Sequence, residues 1–113
     1  MNSASGAELT VAICTLNRKD FILRCLSALQ PQLTQFPLVE LVVVDNGCND
    51  DTEAAVLALG ISGLRYVHEP ALGLSNARNR ALACCDREYL VFLDDDGYPA
   101  EGWLTSVVSA LTL

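Results

Sequence analysis

The sequence predicts an α/β fold, a three-layer α/β/α sandwich around a mostly parallel, four-stranded sheet. Two observations carry this expectation. Apolar runs rich in β-branched residues alternate four times with segments of helical period, the pattern of successive βαβ units whose helices cover a parallel sheet. At 113 residues and 51% hydrophobic, the chain suits one small domain with its own core and is too short for two.

The first strand is expected at residues 9–14, LTVAIC, and the first helix near 19–30. Ile22, Cys25, Leu26 and Leu29 form one apolar stripe of that helix, and Pro31 helps to end it. The second strand is VELVVVD at 39–45. The second helix, near 50–59, opens with Asp50 and Glu53 at capping-box spacing and closes at Gly60. A short third strand, LRYVH, covers 64–68. The third helix, near 75–85, follows Gly73 with Ser75 as N-cap. The fourth strand is EYLVFLD at 88–94. The fourth helix begins after Pro99 and places Trp103, Leu104, Val107, Val108 and Leu111 on one side. The second and fourth strands are nearly all apolar, as strands buried on both faces must be, so these two are expected at the centre. Residues 1–8 read as a flexible leader and 9–113 as the single domain. The chain stops directly after the fourth helix, which suits either an open sheet or half of something larger.

Seven basic against fourteen acidic residues give a net charge of −7, so the composition carries no electrostatic footprint for nucleic acid or an anionic membrane. The five cysteines, Cys14, Cys25, Cys48, Cys84 and Cys85, include no C-x-x-C pair and read as reduced thiols used as small apolar residues, with Cys84 and Cys85 in the core. The N-terminus has no secretory signal pattern, and no apolar run approaches a membrane span of roughly 20 residues. A soluble, cytoplasmic protein is expected.

Ligands of open parallel sheets bind at the carboxyl ends of the strands. Polar residues collect at those ends: Thr15 with Asn17 and Arg18, then Asp45-Asn46-Gly47, then His68-Glu69, then Asp94-Asp95-Asp96. Carboxylates gathered at a partly buried edge are costly unless protonated, paired or metal-bound. Mg²⁺ takes only one or two protein carboxylates and fills its octahedron with water and substrate phosphates, so the aspartate run suits a metal–diphosphate complex. A solvated turn before the fourth helix also accounts for three aspartates. The chain lacks both G-x-G-x-x-G and G-x-x-x-x-G-K-[ST], which leaves ALGLSNARNRA as the phosphate candidate. There Gly73 permits a tight turn, the helix N-terminus is nearby and Arg78 projects one turn in, although a surface helix with exposed Arg78 and Arg80 fits equally. His68, the sole histidine, reads as a structural or rim residue, and Trp103 as core.

Four pieces in register carry a resemblance over residues 9 to about 108: VAICTLNRKDFILRCLSAL, ELVVVDNGCNDDT, GLSNARNRAL and YLVFLDDDGYP. Together they resemble the nucleotide-binding half of family 2 glycosyltransferases, a Rossmann-like half of the GT-A fold. The resemblance implies that Thr15 and Asp45 hold the nucleoside, with Asp45 receiving base or ribose, and that Asn17, Arg18 and Arg78 lie near the nucleotide or its phosphates. It implies a D-x-D motif in which Asp96, with Asp94, holds Mn²⁺ or Mg²⁺ while Asp95 lies near the ribose. The donor is then a UDP-, GDP- or dTDP-sugar, used for inverting glycosyl transfer.

Cys48 stands where the family usually has serine. The family places its catalytic base and acceptor site after the D-x-D strand, where this chain shows no candidate base beyond Glu101, itself read as a first-turn helix residue. The domain is therefore expected to be truncated relative to a full GT-A domain, to leave the acceptor unspecified, and to expose an apolar edge that favours self-association. Two alternatives stay open: a nucleotide-sugar binding module without catalysis, and a haloacid dehalogenase-like phosphatase. In the latter, Asp94 in FLDDDGY is the nucleophile and Asp96 the acid/base, although Tyr98 departs from that motif.

Overall fold

The computed structural model describes residues 8–111. Its elements run β1 (Leu9–Thr15), α1 (Lys19–Leu33), β2 (Glu40–Asp45), α2 (Thr52–Leu57), β3 (Leu64–His68), α3 (Leu74–Cys84), β4 (Tyr89–Phe92) and α4 (Trp103–Ala110). All four strands are parallel, in the order β3-β2-β1-β4.

The period-2 alternation of the strands sorts the core into two layers. Val11 and Ile13 of β1 and Leu41 and Val43 of β2 face α1, α2 and α4, where they meet Ile22, Leu26, Leu29, Val56, Leu104 and Val108. Ala12, Val42 and Val44 face the opposite way, toward Ala77 and Ala81 of α3. The sandwich is therefore asymmetric, with three helices on one face and one helix seated close on small residues. Ile22, Cys25, Leu26 and Leu29 are all fully buried. Each large aliphatic among them stabilises the fold by about 1.5–3 kcal/mol.

The structure corrects several expectations. β4 is an edge strand and β1 is central. The apolar run of β4 reports coverage of its two faces, by Val91 and Leu93 on one side and Leu90 and Phe92 on the other, and says nothing of its outer edge. β4 also ends at Phe92, so Leu93 and Asp94 lie beyond it. Helix α1 continues through Pro31 to Leu33. Gln32 supplies the reason, since its side chain is anchored to Pro99, Ala100 and Leu104 and holds the last turn in place.

The expected capping box is not formed. Asp50 Oδ1 accepts from the backbone N–H and the hydroxyl of Thr52, at 3.1 and 2.5 Å, while Glu53 turns to His68. Helix α3 is capped by Gly73, at φ 127°, rather than by Ser75. Cys84 and Cys85 are partly exposed, because the buried face of α3 is the narrow Ala77–Ala81 stripe. Of the expected leader, residues 1–7 lie outside the described residues; Glu8 is tied to the sheet, its carbonyl accepting from the Tyr89 N–H at 2.7 Å. Among the described residues no helix is long and apolar enough to cross a membrane.

Candidate functional site

Strand register decides which side chains meet at the carboxyl edge. Thr15 pairs with Asp45, and Asp45 with His68, whereas β4 leaves the sheet opposite Ala12. The three residues after Phe92 bring the chain level with Thr15. Leu93 N–H donates to the Ala12 carbonyl at 3.0 Å, and Thr15 Oγ1 donates to Asp95 Oδ2 at 3.0 Å. The backbone then reverses in a turn closed by Gly97 N–H on the Asp94 carbonyl at 2.9 Å, with Asp95 and Asp96 at its tip. A Cβ at Gly97 would lie 3.0 Å from that carbonyl oxygen and 3.2 Å from Leu93 Cδ1, so a larger residue would press the turn open by a few tenths of an ångström.

Arg18, immediately before α1, answers part of the negative charge. Its Nε lies 3.2 Å from Asp95 Oδ1 and its Nη2 3.2 Å from Asp96 Oδ2, and the guanidinium stacks 4.6 Å from the Phe21 ring centroid. Arg78 reaches in from α3, 5.5 Å above the Phe92 ring. Arg18, Arg78 and the three aspartates share one open cleft of about 240 Å³. Among the described residues no carboxylate is ion-paired with Arg78, which leaves it available to an anion.

The aspartates differ in environment. Asp94 and Asp96 are exposed, while the Asp95 side chain is only 12% exposed. Burial raises the Asp95 carboxyl above the usual range, and the neighbouring Asp96 and Asp94 add to it against the opposing Thr15 and Arg18. Two cations, Arg18 and Arg78, thus share the cleft with three carboxylates, only two of which are ion-paired, and the remaining negative charge suits a hard divalent cation held by oxygen. Asp94, Asp95 and Asp96 do not make a tight three-carboxylate cluster. Since Mg²⁺ needs only one or two protein carboxylates, Asp96 with Asp94 fits that demand.

Among the described residues the closer cluster of potential metal ligands is Asp45, Glu53 and His68, with ligand atoms within 4.8 Å of one another. Its atoms already have partners. Asp45 Oδ1 accepts from the N–H groups of Gly47 and Cys48 at 2.9 and 2.7 Å, Oδ2 accepts from the Tyr66 hydroxyl at 2.5 Å, and His68 Nε2 lies 2.9 Å from Glu53 Oε1. Burial opposes ionisation of Asp45, but the Tyr66, Cys48 and Gly47 donors outweigh it and hold the carboxyl below its ordinary value. Three donors over two oxygens leave lone-pair capacity on Asp45 for one more N–H or O–H.

Of the residues singled out from sequence, Thr15, Arg18, Asp94, Asp95 and Asp96 come together, with Arg78 across the cleft. Asp45 stands one strand away. Asn17 does not line the aspartate cleft; in a left-handed conformation (φ 52°), its Oδ1 accepts from Asn49 N–H at 2.9 Å and its own N–H points to Cys48 Sγ at 3.2 Å. Cys48 thus bridges the two loops in the place of the usual serine. Sequence reasoning placed Asn46 at the carboxyl edge without a role and missed two other supporting residues, Tyr66 and Gln32. Tyr66 fixes Asp45, and Asn46 ties the loop before α3 through Glu69, Ala71 and Gly73. Gln32 lies beyond the expected end of the first helix, and only the continuation of α1 through Pro31 brings it onto the buried stripe.

Residues 10–112 match the family described as glycosyl transferase family 2. The pre-mycofactocin glycosyltransferase of Mycobacterium tuberculosis is 29% identical over 105 residues, covering 92% of this chain and 21% of that protein. Among solved structures, the mannosyltransferase PcManGT from Pyrobaculum calidifontis, in complex with GDP-Man and Mn²⁺, superposes with a TM-score of 0.80 at 28% identity, covering 94% of this chain and 32% of that one. Residues 1–349 of TarS from S. aureus, in complex with UDP-GlcNAc, superpose with a TM-score of 0.82 at 25% identity, covering 93% of this chain and 31% of that one. The chain therefore spans about a fifth of the curated relative and a third of each structure. Between the two enzyme readings of FLDDDGY, the match decides against the phosphatase.

Proposed function

The chain belongs to glycosyl transferase family 2, and from that premise we propose that it forms the donor-binding part of a glycosyltransferase acting on a UDP-, GDP- or dTDP-sugar. The observation that carries this reading is the aspartate turn at the carboxyl edge, seated on Thr15 and flanked by Arg18 and Arg78. Asp45 offers its remaining lone pair to the base or ribose, and Asp95, held by Thr15, faces the ribose. Arg78, free of protein carboxylates among the described residues, meets the diphosphate, and Arg18 neutralises the turn beside it. Asn17 acts at one remove, by bracing the loop that carries Asp45.

Asp96, with Asp94, would hold Mn²⁺ or Mg²⁺. The chemistry such an ion supplies when bound is neutralisation of the diphosphate and its stabilisation as a leaving group. The resemblance to the family implies inverting transfer, to an acceptor activated by a base outside the residues named for this site. Relatives with GDP-Man and Mn²⁺, or with UDP-GlcNAc, support a metal-assisted nucleotide-sugar donor.

Calorimetric titration with UDP, GDP and dTDP tests the reading. One of them is expected to bind in the presence of Mn²⁺ and at least about tenfold more weakly with chelator, a difference of about 1.4 kcal/mol. Asp96→Ala should abolish the metal dependence. Equal binding with and without metal, or no binding by the folded chain, refutes it.

A further inference from the structure

Gln32 is 6% exposed on the core-facing stripe of α1, and its carboxamide is fully used. Nε2 donates to the carbonyls of Ala100 at 2.9 Å, Pro99 at 3.2 Å and Ala28 at 3.3 Å, and Oε1 accepts from the Leu104 N–H at 2.8 Å. Leu104 is the second residue of α4, whose amide would otherwise be one of the unpaired donors at a helix start. Apart from the Trp103 and Ser106 N–H groups, which donate to the Ala100 and Gly102 carbonyls and lead the segment into α4, the hydrogen bonds that tie residues 97–102 to another element among the described residues end on Gln32.

The rest of α1 addresses the same segment. Arg18 at its start pairs with Asp95 and Asp96, and the Cys25 thiol approaches the Asp94 carbonyl at 3.7 Å. The aspartate turn is thus held at its tip from the start of the helix and at its entry from the middle, and its exit strap is held from the last turn. A carboxamide can both donate to two carbonyls and accept from an amide at this point, whereas an ionised glutamate has no donor and methionine offers only a weak sulfur acceptor.

We propose that Gln32 is a positioning residue for the aspartate turn, acting through the backbone of Pro99, Ala100 and Leu104 and never touching the ligand. The consequence for a donor rests on the function proposed above, whereas the placement of the turn does not. Losing the clamp frees the strap to open locally, and Asp94–Asp96 then spend less time in the geometry that Thr15 and Arg18 define.

The test compares Gln32→Met, of similar volume, with Leu29→Ala, a core truncation one turn earlier on the same helix face that removes no hydrogen bond to the strap. Amide hydrogen exchange at Gly97 and Leu104 is measured without ligand, and UDP affinity with Mn²⁺ present. Gln32→Met should speed Gly97 and Leu104 exchange by about tenfold beyond Leu29→Ala at matched global stability. It should also weaken UDP by about fivefold while Leu29→Ala leaves affinity unchanged. Gly97 and Leu104 exchange alike in both variants overturns the proposal. If wild type binds no UDP yet the exchange difference persists, the positioning role stands and the donor reading falls. Should Gln32→Met fail to fold, the wild type decides: a Leu104 amide as protected as the core of α1 supports the clamp, and exchange at loop rates overturns it.

Discussion

Tyr66→Phe removes one oxygen and tests how Asp45 is held. In the native chain the Tyr66 hydroxyl donates to Asp45 Oδ2 at 2.5 Å, and Asp45 is only 3% exposed. A hydrogen bond to a charged group contributes about 1.5–3 kcal/mol. Oδ1 keeps the Gly47 and Cys48 amides, so the carboxylate is not orphaned and the cost falls toward the lower part of that range, about 2 kcal/mol. At this chain length the loss corresponds to a fall in Tm of about 8 °C. The pH dependence is more diagnostic than the size. The Asp45 carboxyl is held below its usual value, so its contribution is fully present above the unfolded value and is lost as pH falls through the folded one. In the variant, burial is less opposed and that gain shrinks. Urea unfolding of both proteins between pH 3 and 7 should therefore show a gap that is widest near neutrality and narrows in acid. A gap below about 0.5 kcal/mol at neutral pH, or one that does not change with pH, refutes the reasoning.

Gly97→Ala should cost about 1–3 kcal/mol by chemical denaturation, because its Cβ would press on the Asp94 carbonyl and Leu93, and it should weaken nucleotide binding as well; an unchanged denaturation midpoint contradicts the tight turn. Asp95→Asn should stabilise the metal-free chain at neutral pH. The Asp95 carboxyl is raised, mainly by burial, so the native state is penalised as pH climbs from the ordinary carboxylate range through the raised value. Asparagine removes that penalty while keeping an acceptor for Thr15, so the gain should vanish in acid, and destabilisation at neutral pH would show the charge to be compensated already.

The repeat of strand and helix was legible because two periods, 2 and 3.6, alternate along the chain, and β3 occupies 64–68 as its β-branched and aromatic residues indicate. Position within the sheet was not legible. An apolar run such as YLVF records what covers the faces of a strand, and the edge it leaves open is set by neighbours distant in sequence. The aspartate turn announced itself by charge, and its seat on Thr15 follows from register once β1 and β4 are paired. The supports behind it were hidden for a different reason. Tyr66 acts through one hydrogen bond to a partner 21 positions away and Gln32 through bonds to partners up to 72 positions away, and no local pattern encodes a partner at that range.

The central claim is that the turn at Asp94–Asp96 receives the donor diphosphate together with a divalent cation. Paramagnetic broadening by Mn²⁺ in the presence of UDP, read residue by residue on the amide spectrum, tests it most directly. Broadening should centre on Asp94, Asp95, Asp96 and Gly97, reach Thr15 and Arg18, and disappear in Asp96→Ala. Broadening centred instead on Asp45, Glu53 and His68, or none at either place, would contradict the account.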